Sequence, residues 1–342
     1  LTPRYDRYTV TKLLIVNRTQ QNFIRIAAVA TVLSACCFSA LAQVSVTLAN
    51  SWPGHVRFNT TKCVVTNGYA YGVDDGLWIM DVSDPAHCSR TGFLPMNTWQ
   101  PQAVAISGNY ACLAGLGTNM EVVDISSPAA PVRIGAVKLG TYYGVSIAVM
   151  GQYAYVLDGL NPSVFQVDIS QPANPLKIRS SLVAGATSLT AWNNYVYVCS
   201  DAGLTVFSDQ LWRYTTYDSP GSALSVALAN NYAFLADGAA GLQAIRINSP
   251  NSLVRVGGYD TPGNCLSVGL SASHAFIADG SNGVQVVNVS NPTNCLFVNT
   301  LTGVNASYIT VAENKAFVSD PARRITIYDV SDPTSSAAPV GT

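Results

Sequence analysis

Short runs of β-branched, aromatic and small apolar residues recur along this chain, for instance at 103–106, 153–157, 164–169 and 254–259, and each is bounded by Gly, Asn, Asp, Ser or Pro. Runs of this length with period-two patterning predict strands rather than helices. No convincing helical period occurs after the first apolar stretch, so the Gly-rich helix openings that cradle phosphates are not expected.

The runs belong to a repeat. The phrase Tyr-Ala-Tyr, or a variant of it, begins at Tyr69, Tyr110, Tyr153, Tyr195, Tyr232, His274 and Lys315, with spacings of 41, 43, 42, 37, 42 and 41. Each unit reads as a strand, a Gly-Asn type turn, the anchor strand, an Asp-Gly turn, a third strand, a Ser-x-Pro turn and a fourth strand. Four short strands per unit describe one blade of a propeller. The expected fold is all-β: a seven-bladed β-propeller of about 42-residue four-stranded repeats. An open β-solenoid is the competing architecture, but its coils are usually shorter and it needs polar caps not visible here. The last unit stops near Pro339-Val340-Gly341, so the segment 43–48 (QVSVTL) is expected to supply its fourth strand and close the ring.

The phrases at 77–85 (LWIMDVSDP), 122–128 (VVDISSP), 286–292 (VVNVSNP) and 327–333 (IYDVSDP) resemble those of the LVIVD-repeat proteins, propellers of bacterial and archaeal surfaces. The resemblance covers nearly all of the chain after residue 42. It implies a secreted or surface-attached propeller and carries over no catalytic residue. The fourth unit departs from it, with Ser208-Asp209-Gln210-Leu211 in place of the Asp-Val-Ser-x-Pro turn, and is expected to be the least regular. In the fifth unit Arg246 replaces the turn Asp.

The polar stretch up to about residue 20 opens with Leu and is read as lying upstream of the true start. Arg18, Arg25 and the apolar run 26–41, followed by Ala40-Leu41-Ala42, fit a secretory signal peptide cleaved after Ala42. The domains are thus 1–42, removed, and 43–342, the propeller. An alternative is a lipobox, Leu33-Ser34-Ala35-Cys36, with Cys36 lipidated. The apolar run is about 16 residues, short of a membrane span, and no transmembrane segment is expected in the mature chain. The protein is expected to be exported: extracellular, periplasmic or on the cell surface.

Eighteen Lys and Arg against nineteen Asp and Glu give a net charge of −1, and the mature chain carries 13 basic and 18 acidic residues. No basic field invites nucleic acid. Only His55, His87 and His274 are present, at spacings that place no two on one metal, and neither metal nor cofactor is expected. No His accompanies a nucleophile elbow, and the chain is read as no enzyme. Six cysteines remain after cleavage, without a Cys-x-x-Cys pair, and are read as buried thiols or disulfides alike.

Two sets of acids repeat. Asp74, Asp158, Asp237, Asp279 and Asp320 stand five residues after their anchors, and are assigned to the backbone of the turn that follows. Asp81, Asp124, Asp168 and Asp329, with Asn288, precede the Ser-x-Pro turn and are read as turn formers. Function is expected where units differ most, in the connectors between blades. The candidate ligand-binding residues there are Trp52, Trp99, Tyr142, Tyr143, Asp218, Asp260 and Tyr308, aromatic faces and polar groups suited to sugar rings. The expected function is a non-enzymatic binding module for a glycan or a protein at that face. The alternatives are a carbohydrate-active hydrolase or lyase using Asp residues near the axis, and a structural subunit that self-assembles.

Overall fold

The computed structural model describes residues 62–96, 99–321, 325–334 and 339–341. The signal segment, the strand expected at 43–48 and Trp52 lie outside them. The described chain is an all-β β-propeller with four-stranded blades. Five sheets of four strands, each in simple sequential order, are formed by residues 63–95, 186–217, 225–259, 267–301 and 308–341.

Seven separate blades were expected, and here the structure corrects the sequence: the second and third units form one six-stranded sheet. Its central strand, Val132–Met150, pairs through its first part with Tyr110–Asp124 and through its second with Tyr153–Asp158. The cause is local. The segment between the two parts, 139–143, is Leu-Gly-Thr-Tyr-Tyr, whose β-branched and aromatic residues extend the strand. Other connectors, such as 218–221 and 260–264, hold Asp and Pro, which break it.

In every unit the residue three before the anchor pairs with the anchor, from Thr66 with Tyr69 to Ala312 with Lys315. Two residues remain for each turn, the length that favours positive φ at both positions. Asn67 and Gly68 take it at φ 53° and 74°, while Ala272 is forced to φ 48° with a side chain that disfavours it.

The core lies between neighbouring sheets. Phe234, Leu242 and Ala244 of the fifth unit pack with Val268, Ile277 and Val287 of the sixth. Close approach at the outer strands depends on Gly: a Cβ at Gly135 would meet the Pro172 carbonyl oxygen at 2.2 Å, and one at Gly257 the Pro292 oxygen at the same distance. The Ser-x-Pro turns of the second, third and sixth units thereby dock on the fourth strands of the units before them, at Gly92, Gly135 and Gly257.

The last and first sheets also meet. Cys63, Val65 and Trp78 share a core with Phe317 and Ile327, and Thr310 Oγ1 donates to the Cys63 carbonyl at 2.8 Å. Pro339–Gly341 occupies the fourth position of the last sheet, pairing with Ile325–Asp329. That place had been assigned to 43–48; the C-terminal residues fill it because they follow the third strand directly.

The acids before the Ser-x-Pro turns act as turn formers. Asp124 and Asp168 each accept from the amide two residues on at 2.8 Å, and Asp329 does so at 2.9 Å. Ser208 does the same in the fourth unit, accepting from Gln210 N and Trp212 N at 3.1 Å. The irregularity there is one of sequence, since Gly203–Ser208 and Arg213–Tyr217 still pair. The six described cysteines carry free thiols, and burial pushes those of Cys63, Cys112 and Cys199 up to about 12.

Candidate functional site

In five of the seven units an acid stands at the end of the second strand, and three of these acids are almost fully enclosed: Asp158, Asp237 and Asp279 are 1%, 0% and 1% exposed. A buried carboxylate needs donors. Asp237 accepts from Ser219 Oγ at 2.6 Å and Gly221 N at 3.0 Å. Asp279 accepts from Gly263 N at 3.0 Å, and Asp158 from Tyr143 N at 3.0 Å. The donors thus come from the connector that enters the blade, well upstream in sequence. Assignment to the following turn is right only in part, for Asp158, which also accepts from Leu160 N at 2.9 Å.

Burial pushes Asp237 and Asp279 above the usual carboxylate range; the Ser219 and Gly221 donors to Asp237, and the Gly263 donor to Asp279, only offset it. The chemistry these groups support is anchoring. Each carboxylate pins one connector to its blade, so loops of unlike sequence are held on a common frame.

The candidate residues divide on this frame. Asp218 and Asp260 are exposed beside the pinned segments. Tyr143 is half-buried, its amide held by Asp158 and its carbonyl accepting from Gly159 N at 2.8 Å. Tyr142 lies in the long shared strand, opposite Gly117. Trp99 is not a free stacking face: it packs against the core shared by the first two units and bonds the Glu121 carboxylate. Glu121 is 1% exposed and receives Arg133 Nη2 at 2.9 Å. Burial raises its pKa, with Arg133 and Trp99 acting against that. Tyr308 leaves the connector face altogether and lines a cavity on the propeller axis, where burial pushes its phenol up to about 12.

The sequence reading passed over Lys62, which lines the same cavity. Its signal was the position seven residues before each anchor, where the third to sixth units carry Ser and the first carries Lys. Among the described residues no group of three or more His, Cys, Asp or Glu is placed to hold a metal. No helix among them is long and apolar enough to cross a membrane.

Four-stranded sheets packed side by side about an axial cavity define the β-propeller class. Solved structures agree. The structure of U3-55K matches with a TM-score of 0.64 at 13% identity, over 78% of this chain and 89% of that one. The Myceliophteria thermophila Cps50 (Swd1) β-propeller domain matches with 0.64 at 12%, over 80% and 99%. A chain of the mitotic checkpoint complex matches with 0.66 at 10%, over 87% and 100%. At these identities the likeness is one of fold. No protein of curated function matches in sequence. The LVIVD repeat matches at 59–92, 100–138, 143–181, 220–261, 262–302 and 303–338, more than half of the chain, and the protein belongs to the LVIVD-repeat family. The longest unmatched stretch between these matches, 182–219, covers the strands of the fourth unit.

Proposed function

We propose that the protein is an exported, non-enzymatic binding module that presents its inter-blade connectors to a glycan or a protein. The observation that carries this reading is the set of buried carboxylates that pin connectors of unlike sequence to one frame. Rigid display of variable loops is what recognition requires. Because Asp158, Asp237 and Asp279 are 1% exposed or less and each holds a backbone donor of its connector, they are poor candidates for hydrolysis or lyase chemistry, which needs acids open to substrate. The ring counts seven blades in this proposal, with the six-stranded sheet as two blades that share Val132–Met150. Export rests on the signal-like segment before Gln43.

A screen of the full chain against glycan and protein panels tests the reading. Specific binding without product, lost in a Tyr143→Ala, Asp218→Ala, Asp260→Ala triple variant of unchanged melting temperature, supports it. Product formation would replace it with the enzyme reading.

A second reading, self-assembly, is favoured by apolar side chains on the outer strands and turns: Leu182 is 75%, Trp212 69% and Phe297 51% exposed. Light scattering that rises with concentration, with no ligand found, would favour it.

A further inference from the structure

The inner strands carry one equivalent residue per unit, seven before each anchor: Lys62, Ala103, Ser146, Ser188, Ser225, Ser267 and Tyr308. Ladder pairing confirms the equivalence, since Ala103, Ser146, Ser188, Ser225, Ser267 and Tyr308 each oppose the residue four after the anchor. Serine at this position stitches a blade to its neighbour. Ser188 Oγ donates to the Leu224 carbonyl at 2.8 Å, Ser146 Oγ accepts from Leu189 N at 3.2 Å, and Ser267 Oγ accepts from Ile309 N at 3.4 Å. A device that works with Ser in three units needs no Lys in another.

Lys62 does something else. It stands at the edge of a cavity of about 410 Å³ to which inner strands of every unit contribute, and among the described residues it is the only charged one in that wall. Its ammonium donates to the Val145 carbonyl at 3.3 Å, past the second unit, and lies 5.8 Å from the centre of the Tyr308 ring. One hydrogen bond leaves two N–H donors. No carboxylate among the described residues pairs with it. A desolvated cation without a counter-charge is costly, and its amine pKa falls through burial. The rest of the wall is mixed: Ser225, Ser307 and Thr190 bring hydroxyls, while Leu189, Val226 and Val268 are aliphatic.

We propose that this axial cavity is a binding site for a small aliphatic monocarboxylate, with Lys62 and Tyr308 holding the head group and the aliphatic wall covering the tail. One ammonium balances one negative charge. A phosphate, with more charge and more acceptor oxygens, would call for further cations that the wall does not supply. The site is separate from the connector face and stands whether or not that face binds.

Titration of the full chain with hexanoate, hexanol and inorganic phosphate tests the proposal. Hexanoate binds, hexanol and phosphate bind far more weakly, and Lys62→Met weakens hexanoate roughly tenfold or more, the scale of a lost charge-assisted hydrogen bond. Tyr308→Phe, which keeps the ring, weakens it less. In the unsubstituted protein, hexanoate also slows acetylation of Lys62 by an amine-reactive ester, read by peptide mass spectrometry, so the test survives a variant that does not fold. The proposal is overturned if hexanol or phosphate binds as tightly as hexanoate, if Lys62→Met binds hexanoate unchanged, if hexanoate does not bind, or if it leaves acetylation of Lys62 unslowed. A Tyr143, Asp218 and Asp260 variant leaves hexanoate binding intact, which separates this result from the fate of the connector face.

Discussion

The propeller uses Asp at two repeated positions in opposite surroundings. Asp237 and Asp279 close the second strand, fully enclosed, and burial raises their pKa despite the donors around them. Asp81, Asp124 and Asp329 close the third strand in water or near it, and the Ser hydroxyl and amide that follow hold their carboxyls below the usual range. Both sets satisfy backbone donors, so recurrence alone does not separate them. What differs is reach: the outer set bonds two residues away, the inner set bonds a connector 15 to 18 residues back. The outer acids shape a turn, and the inner acids fasten one blade's entry loop.

The largest break in this comparison is Asp237→Ala. It strands the Ser219 hydroxyl and the Gly221 amide in a buried place and is expected to cost about 3 kcal/mol in urea unfolding. Asp124→Ala, in the exposed set, is expected to cost clearly less. Gly135→Ala should follow Asp237→Ala at about 2 kcal/mol, because the new Cβ overlaps a carbonyl oxygen of the Pro172 turn rather than a movable side chain.

The pH dependence sharpens the same contrast. Raised carboxyls favour the folded state when protonated, so Asp237 and Asp279 add stability as pH falls through their folded pKa toward the ordinary value of 3.8. Depressed carboxyls do the reverse: Asp81, Asp124 and Asp329 contribute above 3.8, and that contribution is lost as pH falls through their folded values. Asp237→Asn should therefore remove part of the gain seen on acidification toward pH 3.8 while leaving the loss below it, as followed by melting temperature against pH. The smallest expected effect is a gain. Ala272→Gly relieves a positive φ and should stabilise by about 1 kcal/mol or less in the same unfolding assay.

Much of this was legible in the sequence because it is local. The anchor phrase, the two-residue turn at Asn67-Gly68 and the Asp-x-Ser turns each rest on neighbours within a few residues, and the repeat displays them many times. The merger of the second and third units was missed because it depends on what 139–143 lacks, the Asp and Pro of the other connectors, while its one Gly, Gly140, is carried within the strand at φ 118°. The anchoring role of Asp237 was missed for a different reason. Its partners at Ser219 and Gly221 belong to the loop before the blade, and no short pattern joins them. Trp99 looked like an open aromatic face, yet its partner Glu121 lies 22 residues further on, and no short pattern joins them. Lys62 was legible in principle, as a departure from Ser at one repeated position, but only once the strand register had fixed which positions to compare.

The central claim is that buried carboxylates make the connectors as rigid as the blades. Amide hydrogen exchange of Tyr143, Gly221 and Gly263 tests it directly, since each amide donates to one of these acids. The account predicts protection close to that of the inner strands, with Asp237→Ala releasing Gly221 while Tyr143 and Gly263 stay slow. Exchange of all three at the rate of exposed loop amides in the unsubstituted protein would contradict it.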